Sequence, residues 1–132
     1  MKKTVEKCNG CFDGLHPGHL FFLGFACAHG DELVVGINSD EYIARRKGKV
    51  LVPVQERVKA LMGLGIVKKV VIFDDDPRCF IRQIHPDVHC TGYEYREGKA
   101  IEDQLCKDMG IRLVFVPRVG EWSSTILRNS SE

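Results

Sequence analysis

The stretch "TVEKCNGCFDGLHPGHLFFLGFACAHG", residues 4–30, decides how this chain folds. It opens as a short run of strand type and passes through a turn rich in glycine. It then continues as a long apolar segment that stops at Gly30, a helix C-cap. Pro17 suits the first helical position, because the N–H it lacks would be unpaired there anyway. Gly10 and Gly14 let the chain turn tightly and bring its backbone close to a bound group. His16 and His19 stand three apart at the helix start, on neighbouring sides of its first turn.

The same alternation continues outward from this unit. "KTVEKC" (3–8), "DELVVGIN" (31–38), "VKKVVIF" (67–73), "PDVHCTG" (86–92) and "IRLVFVP" (111–117) read as strands, bounded by Gly, Pro or Asp. "PVQERVKALMGLG" starts at Pro53 and places Val54, Val58, Leu61 and Met62 at helical spacing. "DPRCFIRQIH" and "EGKAIEDQLCKDMG" read as two further helices, the second ending at Gly110. "ARRKGKVLVP" (44–53) reads as a basic loop, and Asp40 as the cap of the helix after strand two. Strands alternating with helices give an α/β fold, a parallel five-stranded sheet with helices on both faces. No linker, repeat or low-complexity stretch divides the chain, so residues 1–132 are expected to form a single domain.

The composition is that of a folded globular chain, 44% hydrophobic and 28% charged over 132 residues. A net charge of +1 gives no field for nucleic acid or an anionic membrane, and neither is an expected partner. "MKKTVEKCNG" has no apolar stretch of signal-peptide length. "LFFLGFACA" is about half of what crosses a bilayer. The expectation is a cytoplasmic protein whose six cysteines (Cys8, Cys11, Cys27, Cys79, Cys90 and Cys106) are reduced thiols. A zinc site of Cys8, Cys11, His16 and His19 would need much shorter loops than ordinary zinc modules, and no second CxxC follows.

In open parallel sheets ligands sit beyond the carboxyl ends of the strands, where the strand order switches. "NGCFDGLHPGH", the basic loop, "TGYEYREG" and "RVGEWSST" all follow strands and share that rim. A helix start attracts anions through its free N–H groups and dipole, so His16 and His19 there either fit the site for a triphosphate or are surface or capping histidines. Ser123, Ser124 and Thr125 form a second cradle, where an N-cap alone would need one hydroxyl. Arg118, five residues before Ser123, reaches the same anion; Arg128 either does so or is solvated. Arg45, Arg46, Lys47 and Lys49 form a cationic loop that either is solvated or closes over phosphoryl charge. Arg57 either reinforces the site or pairs with Glu56 or Glu94, and Asp13 either shapes its turn or positions the acceptor or metal.

With these residues in view, "HPGH" resembles the HxGH signature of the nucleotidyltransferase superfamily, and "NGCFDGLHPGH" looks like its cytidylyltransferase-like branch. "SSTILR" is similar to the branch's second element, so the likeness spans essentially the whole chain. "NGCFDGLHPGH", "GINSDEYIARRKG" and "IHPDVHCTGYEY" resemble the adenylyltransferase domain of ADP-heptose synthase, where Lys47 matches the lysine before Gly. "PRVGEWSSTI" is spaced like the PRTEGISTT signature of glycerol-3-phosphate-type cytidylyltransferases, with Arg118 at the arginine. Cys90-Thr91-Gly92 departs from the lysine-glycine-glycine of the heptose branch. Arg46 stands at a lysine of the glycerol-3-phosphate branch, and Trp122 replaces a small aliphatic residue.

The resemblance implies a Rossmann-like sheet, an NTP bound with Mg²⁺ through its phosphates and not through protein side chains, and a homodimer. It implies His16, His19 and Lys47 as catalytic residues. Gly10, Cys11, Phe12, Asp13, Gly18, Gly92, Arg118, Trp122, Ser123, Ser124 and Thr125 are the implied nucleotide-binding residues. Asp13, Arg46 and Arg57 are expected to meet the acceptor. The favoured reaction is transfer of CMP from CTP to glycerol 3-phosphate, phosphoethanolamine or 2-hydroxyethylphosphonate, releasing pyrophosphate. The alternatives are ATP-dependent adenylylation of heptose 1-phosphate and a non-catalytic nucleotide-binding module.

Overall fold

The computed structural model describes residues 4–10, 17–92 and 100–116. Each apolar run expected to be a strand is one: β1 (Thr4–Gly10), β2 (Glu32–Asn38), β3 (Lys69–Phe73), β4 (Val88–Gly92) and β5 (Arg112–Val116). All four pairings are parallel, and the order across the sheet is β3-β2-β1-β4-β5. The helices are α1 (Pro17–Cys27), α2 (Asp40–Lys47), α3 (Val54–Met62), α4 (Pro77–Ile84) and α5 (Asp103–Asp108).

Two apolar layers hold helices to opposite faces of this Rossmann-like sheet. Val5, Leu33, Val35, Ile37, Val88 and Cys90 meet Leu23 and Ala26 of α1 and Leu61 of α3 on one face. Val34 and Phe73 meet Phe80 and Ile81 of α4 and Cys106 of α5 on the other. β2 is buried from Leu33 to Asn38 because alternate residues feed both layers. Gly36 is the exception in size, since a Cβ there would stand 2.6 Å from the Phe80 ring. That ring stacks on Phe73 with centroids 6.0 Å apart, so the small residue makes room for an aromatic pair.

Of the region read as a basic loop (44–53), residues 44–47 are the end of α2 and residues 48–53 connect it to α3. Ser39, not Asp40, is the N-cap of α2: its side chain accepts from the Tyr42 N–H at 3.1 Å. Asp40 and Glu41 occupy the first turn and Arg45, Arg46 and Lys47 the last, which complements the helix dipole at both ends. Gly48 closes the helix with φ 83° and donates its N–H to the Ala44 carbonyl. These signals lie in "NSDEYIARRKG" itself; the charge of the segment obscured its cap pattern.

Candidate active site

The topology switches between β1 and β4: the chain moves outward from β1 through β2 to β3, then returns to place β4 on the other side of β1. Their paired residues run Val5↔Val88, Glu6↔His89 and Lys7↔Cys90, which carries Gly10 and Gly92 to the carboxyl rim of neighbouring strands. β1 is irregular on its way there. Lys7 pairs with Val35 and Gly10 with Ile37, so three steps along β1 match two along β2. Such a bulge bends a strand end and is common beside functional sites. α1 begins at Pro17, with Gly18 and the half-buried His19 in its first turn. The unpaired amides of a first turn and the positive dipole end are the elementary parts of an anion site.

Gly10 and Gly92 therefore end neighbouring strands at one rim, and Gly18 and His19 lie in the first turn of the helix that follows β1. His16, Cys11, Phe12, Asp13, Arg118, Trp122, Ser123, Ser124 and Thr125, with Gly14, Glu94 and Arg128, lie outside the described residues.

α2 presents its cations in different ways. Arg45 Nη2 is 2.7 Å from Asp74 Oδ2 at the end of β3, and so is already engaged. The Arg45 and Arg46 guanidinium carbons each lie 5.9 Å from the Tyr42 ring centroid, a distance at which cation and ring attract. Lys47 is exposed in the last turn and forms no ion pair among the described residues. Lys49 is likewise exposed and forms no ion pair among the described residues.

Arg57, expected to meet the acceptor, is turned into the fold in this structure. Its side chain is 0% exposed. Nε donates to the Val52 carbonyl at 3.0 Å, Nη1 to the Asn38 carbonyl at 2.7 Å and Nη2 to Asp40 Oδ1 at 2.6 Å. Among the described residues its carboxylate partner is Asp40, while Glu56 faces Lys59 at 3.9 Å; Glu94 lies outside the described residues. Asp40 in turn accepts from the Val54 N–H at 3.1 Å, capping α3 where Pro53 has no side chain to do so. Burial pushes the Asp40 carboxyl up, but the Val54 N–H and the bond and charge of Arg57 outweigh it and hold it below its ordinary range. One buried guanidinium so fastens α2, the following loop and α3 to the end of β2.

A clasp between β2 and β3 was not anticipated. Asn38 Nδ2 donates to the Asp74 carbonyl at 2.8 Å, and Ser39 Oγ donates to Asp74 Oδ1 at 2.8 Å. The Ser39 and Arg45 hydrogen bonds hold the Asp74 carboxyl below its ordinary range. Beside it opens a cavity of about 260 Å³, with Ile72, Asp74, Asp75, Asp76, Cys79 and Gln83 in its wall. It lies at the outer edge of the sheet, and its three carboxylates would repel a polyphosphate.

Comparison with known proteins bears on this geometry. The profile of the cytidylyltransferase-like family matches residues 8–129. The chain belongs to the cytidylyltransferase-like family. Within it, the chain is 43% identical over 117 residues to the bifunctional protein HldE of Campylobacter concisus, covering 86% of this chain and 24% of that protein. It is 41% identical over 128 residues to the HldE of Hyphomonas neptunium, covering 94% of this chain and 26% of that one. The chain thus spans about a quarter of the length of these relatives.

Among solved structures, the lipopolysaccharide core biosynthesis protein of Thermoplasma volcanium has the same fold, with a TM-score of 0.72 and 27% identity. That match covers 89% of this chain and 97% of the other. A pantoate-beta-alanine ligase of Francisella tularensis shares the fold at a TM-score of 0.60 and 16% identity, covering 88% of this chain and 59% of the ligase. No helix among the described residues is long and apolar enough to cross a membrane.

Proposed function

We propose that this cytidylyltransferase-like domain transfers an adenylyl group from ATP to a heptose 1-phosphate or a closely similar sugar phosphate, releasing pyrophosphate. The observation that carries this reading is the likeness to HldE, at 38–43% identity over 86–94% of the chain in three relatives. "NGCFDGLHPGH", "GINSDEYIARRKG" and "IHPDVHCTGYEY" also resemble the adenylyltransferase domain of ADP-heptose synthase, apart from the departure at Cys90-Thr91-Gly92. The resemblance to the adenylyltransferase domain of ADP-heptose synthase supports ATP over the CTP expected from the spacing of Arg118. That spacing still supports CMP transfer as a second reading.

In the reaction an acceptor phosphate oxygen bonds to the α-phosphorus as the bond from that phosphorus to the bridging oxygen breaks, and pyrophosphate leaves with the electron pair. An ionised acceptor is already nucleophilic, so the protein's part is positioning and charge stabilisation. His16 and His19 would steady the α-phosphate. Ser123, Ser124, Thr125 and Arg118 would hold the β- and γ-phosphates, and Lys47 with Arg46 would neutralise charge between donor and acceptor. Magnesium would arrive on the nucleotide phosphates.

A pyrophosphate-release screen tests the reading, pairing ATP and CTP with heptose 1-phosphate, glycerol 3-phosphate, phosphoethanolamine and 2-hydroxyethylphosphonate. Turnover is expected with ATP and heptose 1-phosphate. Turnover with CTP and one of the smaller acceptors alone would replace it with the second reading. Nucleotide binding without pyrophosphate from any pair would make the domain a binding module.

A further inference from the structure

Beneath Gly92 lies a group of buried polar side chains that the transfer chemistry does not use. β4 sends Val88 and Cys90 into the layer under α1 and α3, so His89 and Thr91, alternating with them, face the layer under α4 and α5. His89 Nε2 is 3.3 Å from Glu102 Oε2, with the two side chains 0% and 1% exposed. Glu102 is the N-cap position of α5, but its side chain makes no cap bond; it reaches the strand instead. Beside this bridge, Thr91 Oγ1 and both carboxylate oxygens of Asp103 are buried with no hydrogen-bond partner among the described residues.

Stability does not explain this arrangement. Apolar side chains of similar size would pack the same space at least as favourably, and unpaired buried oxygens weaken the fold. A polar bridge supplies what apolar contact lacks, namely a fixed distance and direction between two elements. Here the elements are the β4 strand, three residues below Gly92, and the residue that opens α5. The next layer of contact is the switch point itself, since β4 pairs with β1 at His89↔Glu6 and Cys90↔Lys7.

We propose that His89 and Glu102 are positioning residues for nucleotidyl transfer: their buried bridge fixes the end of β4 against α5, and so sets where the Gly92 backbone stands at the switch point. The inference rests on the nucleotidyltransferase reading above. A misplaced strand end disturbs the aligned transition state more than ground-state nucleotide binding. Loss of the bridge therefore lowers kcat and leaves KM nearly unchanged.

The test uses the full chain and the variants Glu102→Ala, Glu102→Gln and His89→Gln, each checked for folding by thermal melt. Pyrophosphate release is measured with the nucleotide and acceptor that serve the wild type, together with amide exchange across the sheet. Glu102→Ala is expected to lower kcat at least tenfold with KM for nucleotide within threefold. Glu102→Gln, which keeps an acceptor oxygen for the ring, is expected to recover kcat to within threefold of wild type. Exchange at Thr91 and Gly92 should quicken in Glu102→Ala and not in β2.

A folded Glu102→Ala with kcat within twofold of wild type overturns the proposal, as does an equal loss in Glu102→Gln. Should Glu102→Ala fail to fold, His89→Gln decides: unchanged kcat and unchanged exchange at Gly92 overturn the proposal. A wild-type chain that turns over no pair removes the functional reading and the catalytic half of this inference. Exchange at Thr91 and Gly92 then decides the positional half, and an unaltered rate there overturns it.

Discussion

Arg57 Nη2 stands 2.6 Å from Asp40 Oδ1, across a gap of seventeen residues in sequence. The guanidinium is wholly buried while the carboxylate is 34% exposed, so the arginine depends on this partner more than the aspartate does. With the Asn38 and Val52 carbonyls also accepting from Arg57, one side chain defines the corner that carries Arg46 and Lys47. Removal of Arg57 should therefore be felt in two places, the stability of the fold and the placement of α2.

Arg57→Ala is expected to destabilise the domain by about 3–5 kcal/mol, the range for breaking a buried charge pair. Arg57→Lys should recover only part of this, because an ammonium cannot reach three acceptors in a fork. Urea unfolding measures both. A loss under about 1 kcal/mol for Arg57→Ala would show that the corner is held by other contacts.

Acid should loosen the same corner. The folded-state pKa of Asp40 lies below its ordinary 3.8, so its ionised form favours the native state. That stability is complete above the unfolded value and disappears as pH falls through the folded one. Asp74, held down by Ser39 and Arg45, and Asp76, held down by Arg78, act with the same sign. The urea midpoint is expected to stay level from about pH 8 to about pH 5 and to fall below about pH 4. Asp40→Asn should start lower and fall less steeply; an unchanged acid slope would assign the loss to other carboxylates.

Two glycines separate conformational cost from steric cost. Gly48 has φ 83° and open space around a built Cβ, so Gly48→Ala should cost about 1 kcal/mol from backbone strain alone. At Gly36 the built Cβ lies 2.6 Å from Phe80 Cε2 and 3.1 Å from Phe73 Cε1. Gly36→Ala should cost about 1–3 kcal/mol, with a shifted Phe80 ring seen by NMR. Equal costs at the two sites, with Phe80 unmoved, would contradict the packing described for this face.

Catalysis should depend on groups that leave the fold alone. His16→Ala, His19→Ala and Lys47→Ala are each expected to lower kcat by roughly 10²–10³, the loss on removing a transition-state donor, with unchanged thermal melts. Near-normal pyrophosphate release in one of these variants would remove that residue from the machinery. Amide exchange offers a separate check on α2. The Ile43 and Gly48 amides donate to Ser39 and Ala44 carbonyls at 3.1 and 2.9 Å, and should be protected without ligand, as loop amides are not.

The sequence by itself determined the order of elements and most of their ends. Val and Ile runs and Pro17 at a helix start are local signals, governed by residues within a turn or two of each other; the cap pattern of "NSDEYIARRKG" is local too, but its cap is Ser39 and not the Asp40 expected. The glycine-rich turn before α1 marked the rim that carries the switch point, because chain direction alone places a strand's carboxyl end beside the next helix start. Tertiary structure decided what local spacing cannot contain. It set β4 beside β1, which brought Gly10 and Gly92 to one place. It drew Arg57 inward to Asp40, although the sequence shows only an arginine near Glu56 on a polar helix face. It buried His89 against Glu102. Each of these is a pairing of distant groups in which loss of water is offset only by a partner the fold delivers, and no periodicity along the chain encodes that partner.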